Sequence, residues 1–157
     1  VVDRYHNNAQ VSKMLWRGVG PRDADSALTS SVCHDNHNIW VAGNSDPAIA
    51  LAVNTIAEMG GGWALVRHGE VVAKIRLEIG GLMSQRTARE VAADIEKFYA
   101  VADEMEWIGY QPGTTRVDMS KAFLTCTPWK WVLVAPHENH PEGLVNVTNG
   151  RTHPVVW

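Results

Sequence analysis

Residues 60–77 read GGGWALVRHGEVVAKIRL and contain the strongest hairpin signal in the chain. Three glycines open this stretch, an apolar run follows over Trp63–Arg67, and a second run returns over Val71–Leu77. Between the two runs lies the pair His68-Gly69, a sequence that tolerates the positive φ angles of a tight hairpin turn. We therefore predict two strands joined as a β-hairpin.

The residues before this hairpin predict a helix. Asn44-Ser45-Asp46-Pro47 supplies a capping side chain and a proline for the first turn, and Gly60 supplies the stop. The apolar residues between these signals leave little polar surface, so we expect the helix to be largely buried. These residues are Ile49, Leu51, Ala52, Val53, Ile56 and Met59.

The residues after the hairpin predict a second helix. Gly80-Gly81 ends the strand, and Thr87-Ala88-Arg89-Glu90 has the pattern of a capping box. The apolar positions that follow have helical spacing and indicate an amphipathic helix. They are Val91, Ala92, Ile95, Phe98, Tyr99, Ala102 and Met105.

The rest of the chain predicts more strands. Because strands outnumber helices and tight turns join some of them, we predict one α+β domain over residues 1–157, with a mixed or mostly antiparallel sheet and two main helices. A turn is expected at Asn149-Gly150. The further predicted strands are Val1–His6, Val11–Trp16, Ser31–Cys33, Ile39–Ala42, Phe123–Thr127, Trp131–Ala135, Leu144–Val147 and Val155–Trp157.

Length and composition exclude several classes of protein. The chain has 157 residues, whereas a (β/α)8 barrel needs roughly 250. Its 14 Lys and Arg against 17 Asp and Glu give a net charge of -3, which argues against a nucleic-acid or anionic-membrane binder. It has no apolar stretch of the about 18 residues that a membrane helix needs. We expect no nucleic-acid partner and no membrane segment.

The cysteines and the two ends of the chain carry further expectations. Cys33 and Cys126 lack CxxC spacing, so we expect a reduced, cytoplasmic protein. The sequence leaves open whether a disulfide joins the two cysteines. The chain starts at Val1 rather than Met, and both ends have strand-like sequences. We expect it to be a piece of something longer.

The densest polar cluster is His34-Asp35-Asn36-His37-Asn38, between two apolar segments. A loop that leaves a strand can direct such side chains into one cleft, where a histidine beside a carboxylate serves as a general base or a metal ligand. The alternative is a polar turn in which the Asp and Asn side chains satisfy backbone groups.

A similar string, His137-Glu138-Asn139-His140, lies far downstream between two prolines. If the two loops met, His34, His37, His137 and His140 would offer ligands to a divalent metal ion, which usually takes three or four. This reading predicts a stand-alone metal- or small-ligand-binding protein. The alternative for the second string is an exposed loop.

The string Ser31–Ile39 resembles the opening of the C-terminal domain of adenine deaminases, members of the amidohydrolase superfamily. The likeness continues through Asp46–Glu58, the glycines 60–62, the hairpin to Leu77 and Gly80–Ser84. It extends more weakly back to Val1–Tyr5 and forward to Gly143–Val147. The loop Pro136–Pro141 and the aromatic Trp129-Lys130-Trp131 depart from the family pattern.

The resemblance implies an accessory domain or subunit that covers or completes the active site of a metal-binding barrel, where adenine and water become hypoxanthine and ammonia. The divalent metal ion (Mn, Fe or Zn) would be held by that barrel, outside this chain. We expect the isolated chain to be inactive and its partners to be the barrel and a purine-like small molecule. A homo-oligomer and a purely structural interaction module stay open. The candidate residues are His34, Asp35 and His37 in a supporting catalytic role, and Asn36 and Asn38 in substrate binding.

Overall fold

The structure is a computed structural model, and it describes residues 1–6, 10–15, 20–33, 37–105, 107–108, 131–135 and 143–153. They divide into two compact units. The terminal unit comprises Val1–Arg17, Cys33–Trp40 and Asp118–Trp157, and the helix–sheet unit comprises Gly18–Val32 and Val41–Val117. The elements, in chain order, are β1 Gly20–Pro21, β2 Ala27–Ser30, β3 Trp40–Gly43, α1 Asp46–Met59, β4 Gly62–Arg67, β5 Glu70–Arg76, α2 Ala88–Glu104, β6 Trp107–Ile108, β7 Trp131–Leu133 and β8 Leu144–Asn146.

A four-stranded sheet in the order β3-β2-β4-β5 forms the centre of the helix–sheet unit. Strand β4 pairs antiparallel with both β2 and β5. His68 and Gly69 join β4 to β5 with φ angles of 52° and 77°, the left-handed conformation that a tight hairpin needs. The predicted hairpin is therefore confirmed.

Helix α1 begins and ends at the residues that its sequence signals indicate. Ser45 is the N-cap, and its hydroxyl accepts a hydrogen bond from the Ala48 N–H. Gly60 ends the helix in the left-handed conformation, with φ 76°. The buried face of the helix packs small side chains against the sheet, which brings the helix close to β2 and β4. The core of this contact is Ala27, Ala48, Ala52 and Val66.

Helix α2 covers the opposite face of the same sheet. Successive side chains of a strand alternate between the two faces of the sheet. Trp63 and Val66, which are three residues apart in β4, therefore lie on opposite faces. The register of the β4–β5 pairing shifts between Leu65 and Val66. The Trp63 ring makes edge contacts with Phe98 and Tyr99 of α2, at centroid distances of 5.7 and 6.3 Å. Two helices and a mostly antiparallel sheet confirm the α+β class.

The strands predicted at Ser31–Cys33 and Val1–His6 are wrong. The strand expected at Ser31–Cys33 lies just upstream, as β2, because the Ser30 hydroxyl accepts the Val32 N–H and turns the chain out of the sheet. The segment Val1–His6 makes isolated bridges through Val2 rather than a strand. It turns because the Asp3 carboxylate accepts the Tyr5 N–H two residues later.

The described parts of the terminal unit contain the antiparallel pair β7–β8. This pair confirms the strands predicted at Trp131–Ala135 and Leu144–Val147, and the turn at Asn149-Gly150 follows them. Of the strand predicted at Val11–Trp16 the structure describes residues 11–15, which make an isolated bridge at Val11 and no strand. The strands predicted at Phe123–Thr127 and Val155–Trp157 lie outside the described residues, as does Cys126, whereas Cys33 is buried.

Across the described ranges, neither helix has the length and apolar character needed to cross a bilayer.

Candidate functional site

A network of hydrogen bonds in the terminal unit joins the first residues of the chain to the end of the predicted polar cluster and to the residue after it. Val2 and Ile39 exchange backbone hydrogen bonds of 2.8 and 3.2 Å. The Arg4 N–H donates to Oδ1 of Asn38, 34 residues away, at 3.3 Å. The Tyr5 hydroxyl donates to the His37 carbonyl at 3.1 Å. Two segments that are distant in sequence therefore form one local structure.

Within this network, Asp3 and His6 form a carboxylate–imidazole pair. Nδ1 of His6 lies 2.8 Å from Oδ2 of Asp3, and the Tyr5 N–H donates to Oδ1 of Asp3 at 3.0 Å. The Asp3 side chain is only 2% exposed, whereas the His6 side chain is 75% exposed. A buried carboxylate requires such donors. The arrangement holds an exposed imidazole ring in a defined orientation, and Nε2 is the ring nitrogen that Asp3 does not use.

Among the predicted site residues, His37 and Asn38 are described. His37 is exposed and has a φ of 57°, and its N–H donates to the Cys33 carbonyl at 2.6 Å. This left-handed backbone conformation costs a residue with a side chain on the order of 1 kcal/mol. Asn38 is buried, and its Oδ1 holds the Arg4 backbone. The structure thus places both residues beside Tyr5 and Arg4, and their roles in catalysis and substrate binding stay predictions.

The remaining predicted residues are His34, Asp35, Asn36, His137 and His140, and all five lie outside the described residues. The meeting of the two histidine strings is therefore a prediction that the structure does not test. Within the part of the chain that the structure describes, no three side chains of His, Cys, Asp or Glu are grouped so that they could hold a metal ion. Asp3 and His6 supply only two such groups.

Asp3 and His6 were not among the predicted site residues. Residues three apart on a strand point to opposite faces, so the strand assigned to Val1–His6 separated them. The signal that could have found the pair is an Asp whose side chain can accept the N–H two residues later, which is typical of a turn. In such a turn a His three residues after the Asp folds back onto the carboxylate.

The other segments that carry the resemblance meet in the helix–sheet unit at a buried serine. The Ser31 hydroxyl accepts the Gly62 N–H at 2.8 Å and donates to the Gly81 carbonyl at 2.6 Å. A Cβ on Gly61 would overlap Gly81 Cα and lie 3.0 Å from the Leu77 carbonyl oxygen. Close backbone approach therefore explains the glycine at position 61, and a φ of 73° favours the glycine at position 81.

The residues after β5 form a rigid loop with an apolar surface. Ile79 and Met83 exchange backbone hydrogen bonds of 2.9 and 3.1 Å. The Glu78 carboxylate accepts the Gln85 N–H at 3.1 Å, and backbone hydrogen bonds from Glu78 itself and from Gln85 lower the pKa of this carboxyl. Three apolar side chains of the loop are nevertheless exposed. We call this the apolar loop, and the side chains are Ile79, Leu82 and Met83, with exposed fractions of 41%, 38% and 60%.

Comparison with known proteins identifies the class to which this fold and these motifs belong. The sequence profile described as "Adenine deaminase C-terminal domain" matches residues 1–132. The chain belongs to this family. It is 48% identical, over its full length, to adenine deaminase 2 of Bradyrhizobium diazoefficiens, of which it covers 26%. It is 49% identical to adenine deaminase 1 of Bradyrhizobium sp. (strain ORS 278), again over its full length and 26% of the relative.

A more distant relative extends the same likeness. Adenine deaminase 1 of Carboxydothermus hydrogenoformans is 34% identical over 99% of this chain, which covers 24% of that protein. The chain therefore spans about a quarter of the length of the curated relatives that it matches. In those relatives the matched segment is part of a much longer protein, and most of that protein lies outside the match.

Proposed function

We propose that this chain acts as the C-terminal part of an adenine deaminase-like hydrolase, which converts adenine and water to hypoxanthine and ammonia. In this proposal residues 1–157 form one accessory domain, and the reaction centre lies in a catalytic barrel outside the chain. The observation that carries the proposal is the match of the whole chain to a C-terminal quarter of proteins named adenine deaminase. The accessory domain covers or completes the site of the barrel, and the isolated chain is inactive.

The residues proposed to contribute to this site belong to the terminal unit. His34, Asp35 and His37 support catalysis, and Asn36 and Asn38 contact the purine. The hydrogen bonds from Arg4 to Asn38 and from Tyr5 to His37 support this placement, because they fix the end of the polar cluster against another segment. Fixed polar groups bind a ligand more tightly than mobile ones, since less conformational freedom is lost on binding.

The proposal places the metal ion and the rest of the machinery outside the chain. The resemblance implies that a divalent ion such as Mn, Fe or Zn is held by the barrel, and we assign the ion there. We also propose a cytoplasmic, purine-metabolising enzyme, consistent with few cysteines and a buried Cys33. Its assembly into homo-oligomers is left to experiment.

The apolar loop supports contact with the rest of the longer protein. Neighbouring exposed apolar side chains on one surface, unlike single scattered ones, are typical of an interaction site. The backbone of the loop is fixed by the hydrogen bond from the Ser31 hydroxyl to Gly81 and by the backbone hydrogen bonds between Ile79 and Met83. The loop therefore loses little conformational freedom on binding. Most of the length of the relatives lies outside the matched segment. We propose that the apolar loop packs against this remaining part of the longer protein.

A chimera tests the proposed function. This chain replaces the matched C-terminal quarter of the Bradyrhizobium diazoefficiens relative, and hypoxanthine formation from adenine is measured. We expect deamination by the chimera, none by this chain alone, and recovery of turnover when the chain is added to the truncated relative. Activity of the isolated, pure chain, or inactivity of a folded chimera, contradicts the proposal. Asp35→Ala separates a supporting role in the site from a purely structural module, because the latter leaves turnover unchanged.

A further inference from the structure

We infer that His6, oriented by Asp3, contacts the purine-like ligand through Nε2. The inference rests on the proposed function and adds a residue that the resemblance did not point to. Its physical basis is the contrast between the two members of the pair: a carboxylate with a 2% exposed side chain and an imidazole with a 75% exposed side chain, 2.8 Å apart.

Stability alone does not account for this arrangement. Burying a carboxylate costs free energy, and the cost is offset only by good donors. The exposed His6 ring contributes little packing, and an ion pair with an exposed partner contributes little to stability. The pair does, however, restrict a ring that would otherwise rotate freely. A carboxylate that fixes the tautomer and orientation of a histidine is the arrangement used where the second nitrogen has a task.

The chemistry of the second nitrogen follows from the hydrogen bond of the first. When the Nδ1–H of a neutral His6 donates to the Asp3 carboxylate, Nε2 carries the lone pair and accepts a hydrogen bond. The matching ligand group is an N–H. Nitrogen heterocycles of the purine type present both ring N–H and amino N–H groups. The geometry therefore suits such a ring.

The position of His6 agrees with this assignment. Tyr5, the residue before it, donates to the His37 carbonyl, and Arg4 donates to Asn38. His6 therefore lies next in sequence to a residue bonded to the end of the proposed site. A ligand that contacts His37 or Asn38 is within the same local structure as the pair.

Two isosteric variants in the active chimera test the role of Nε2. His6→Asn keeps a donor near the position of Nδ1 but has no atom near Nε2, whereas His6→Gln has its polar end near Nε2. We expect His6→Asn to raise KM for adenine by about fivefold to tenfold, the loss of one hydrogen bond. His6→Gln is expected to stay within about twofold of the unsubstituted chimera. A merely structural role predicts that the two variants behave alike.

The control is His68→Asn. His68 lies in the β4–β5 turn with a φ of 52°, which Asn tolerates, and it is outside the proposed site. Equal KM values for His6→Asn, His6→Gln and the control overturn the assignment of His6 and leave the proposed function intact. A chimera that neither binds nor deaminates adenine overturns both.

Discussion

The hydroxyl group of Ser31 donates a 2.6 Å hydrogen bond to the carbonyl oxygen of Gly81, 50 residues further along the chain. The same hydroxyl accepts the N–H of Gly62 at 2.8 Å. One fully buried side chain thus joins the end of β2, the start of β4 and the apolar loop. The motifs around Ser31, Gly62 and Gly81, which carry the resemblance to the family, therefore meet at one structural junction.

Removing this hydroxyl should destabilise the helix–sheet unit. Ser31→Ala leaves the Gly62 N–H and the Gly81 carbonyl without their partner, and each unsatisfied buried group costs about 1 to 3 kcal/mol. We expect the free energy of unfolding to fall by about 3 kcal/mol in urea titrations. The exposed Thr148→Ala serves as the control, with a change within about 0.5 kcal/mol. A loss as small as that of the control contradicts the junction.

Neighbouring glycines should respond differently to alanine. Gly60 has φ 76° and open space where a Cβ would lie, so Gly60→Ala costs only the left-handed conformation, about 1 kcal/mol. Gly61→Ala places its methyl group against Gly81 Cα and near the Leu77 carbonyl. We expect it to cost about 2 kcal/mol more, measured as the difference between the two urea midpoints. Equal midpoints rule out the close approach.

Helix α2 should detach before the sheet when its aromatic anchor is removed. Of the α2 side chains, Phe98 and Ala102 are buried, and Phe98 packs on Trp63. Phe98→Ala is expected to cost about 3 to 5 kcal/mol. Hydrogen exchange should show faster exchange in α2 than in β4. Tyr99→Ala, at a half-buried position, is the matched control with a smaller effect. Uniform loss of protection through both elements contradicts this order.

The N-terminus of α2 should confer a pH dependence on stability. The Thr87 hydroxyl and N–H donate to the Glu90 carboxylate at 2.7 and 2.9 Å, and these bonds lower the pKa of Glu90. A lowered folded pKa gives a contribution that is present above the ordinary pKa of Glu and is lost as pH falls through the lower folded value. The measurement is the free energy of unfolding, determined by urea titration at several pH values between neutral and acid.

Two variants isolate the capping contribution. Glu90→Gln should flatten the acid part of the pH dependence, because the residue at that position no longer titrates. Thr87→Ala should lower stability by about 1 kcal/mol at neutral pH through loss of the cap. If stability falls with acid pH to the same extent in Glu90→Gln and in the unsubstituted chain, the pH dependence arises from other carboxyl groups.

The apolar loop should control association with the remainder of the longer protein. We expect Met83→Lys to weaken binding of this chain to the truncated Bradyrhizobium diazoefficiens relative by about tenfold, the effect of losing one apolar anchor. Its own urea midpoint should not change, because Met83 is 60% exposed. Val72→Lys, at an exposed site on β5, is the control. Equal binding by both variants places the interface elsewhere.

Local signals in the sequence determined much of the helix–sheet unit. Ser45 and Gly60 set the ends of α1, His68-Gly69 set the hairpin, and the Thr87 capping box set the start of α2. Each signal acts through hydrogen bonds or φ angles within a few residues, so it can be read without knowledge of the fold. The α+β class followed from these elements.

Other features depend on residues that are distant in sequence. Strand β2 consists of only four residues, Ala27–Ser30, and it shows no alternation of apolar and polar positions because a helix covers each face of the sheet and all four residues are buried. The pairing of Asp3 with His6 required the turn that the Val2–Ile39 contact supports. Local hydrogen bonds and φ angles place the hairpin turn and the starts of both helices, and these can be predicted from the residues alone. Which buried polar groups meet is set by the fold, because a hydrogen bond between distant segments leaves no periodic trace in either one.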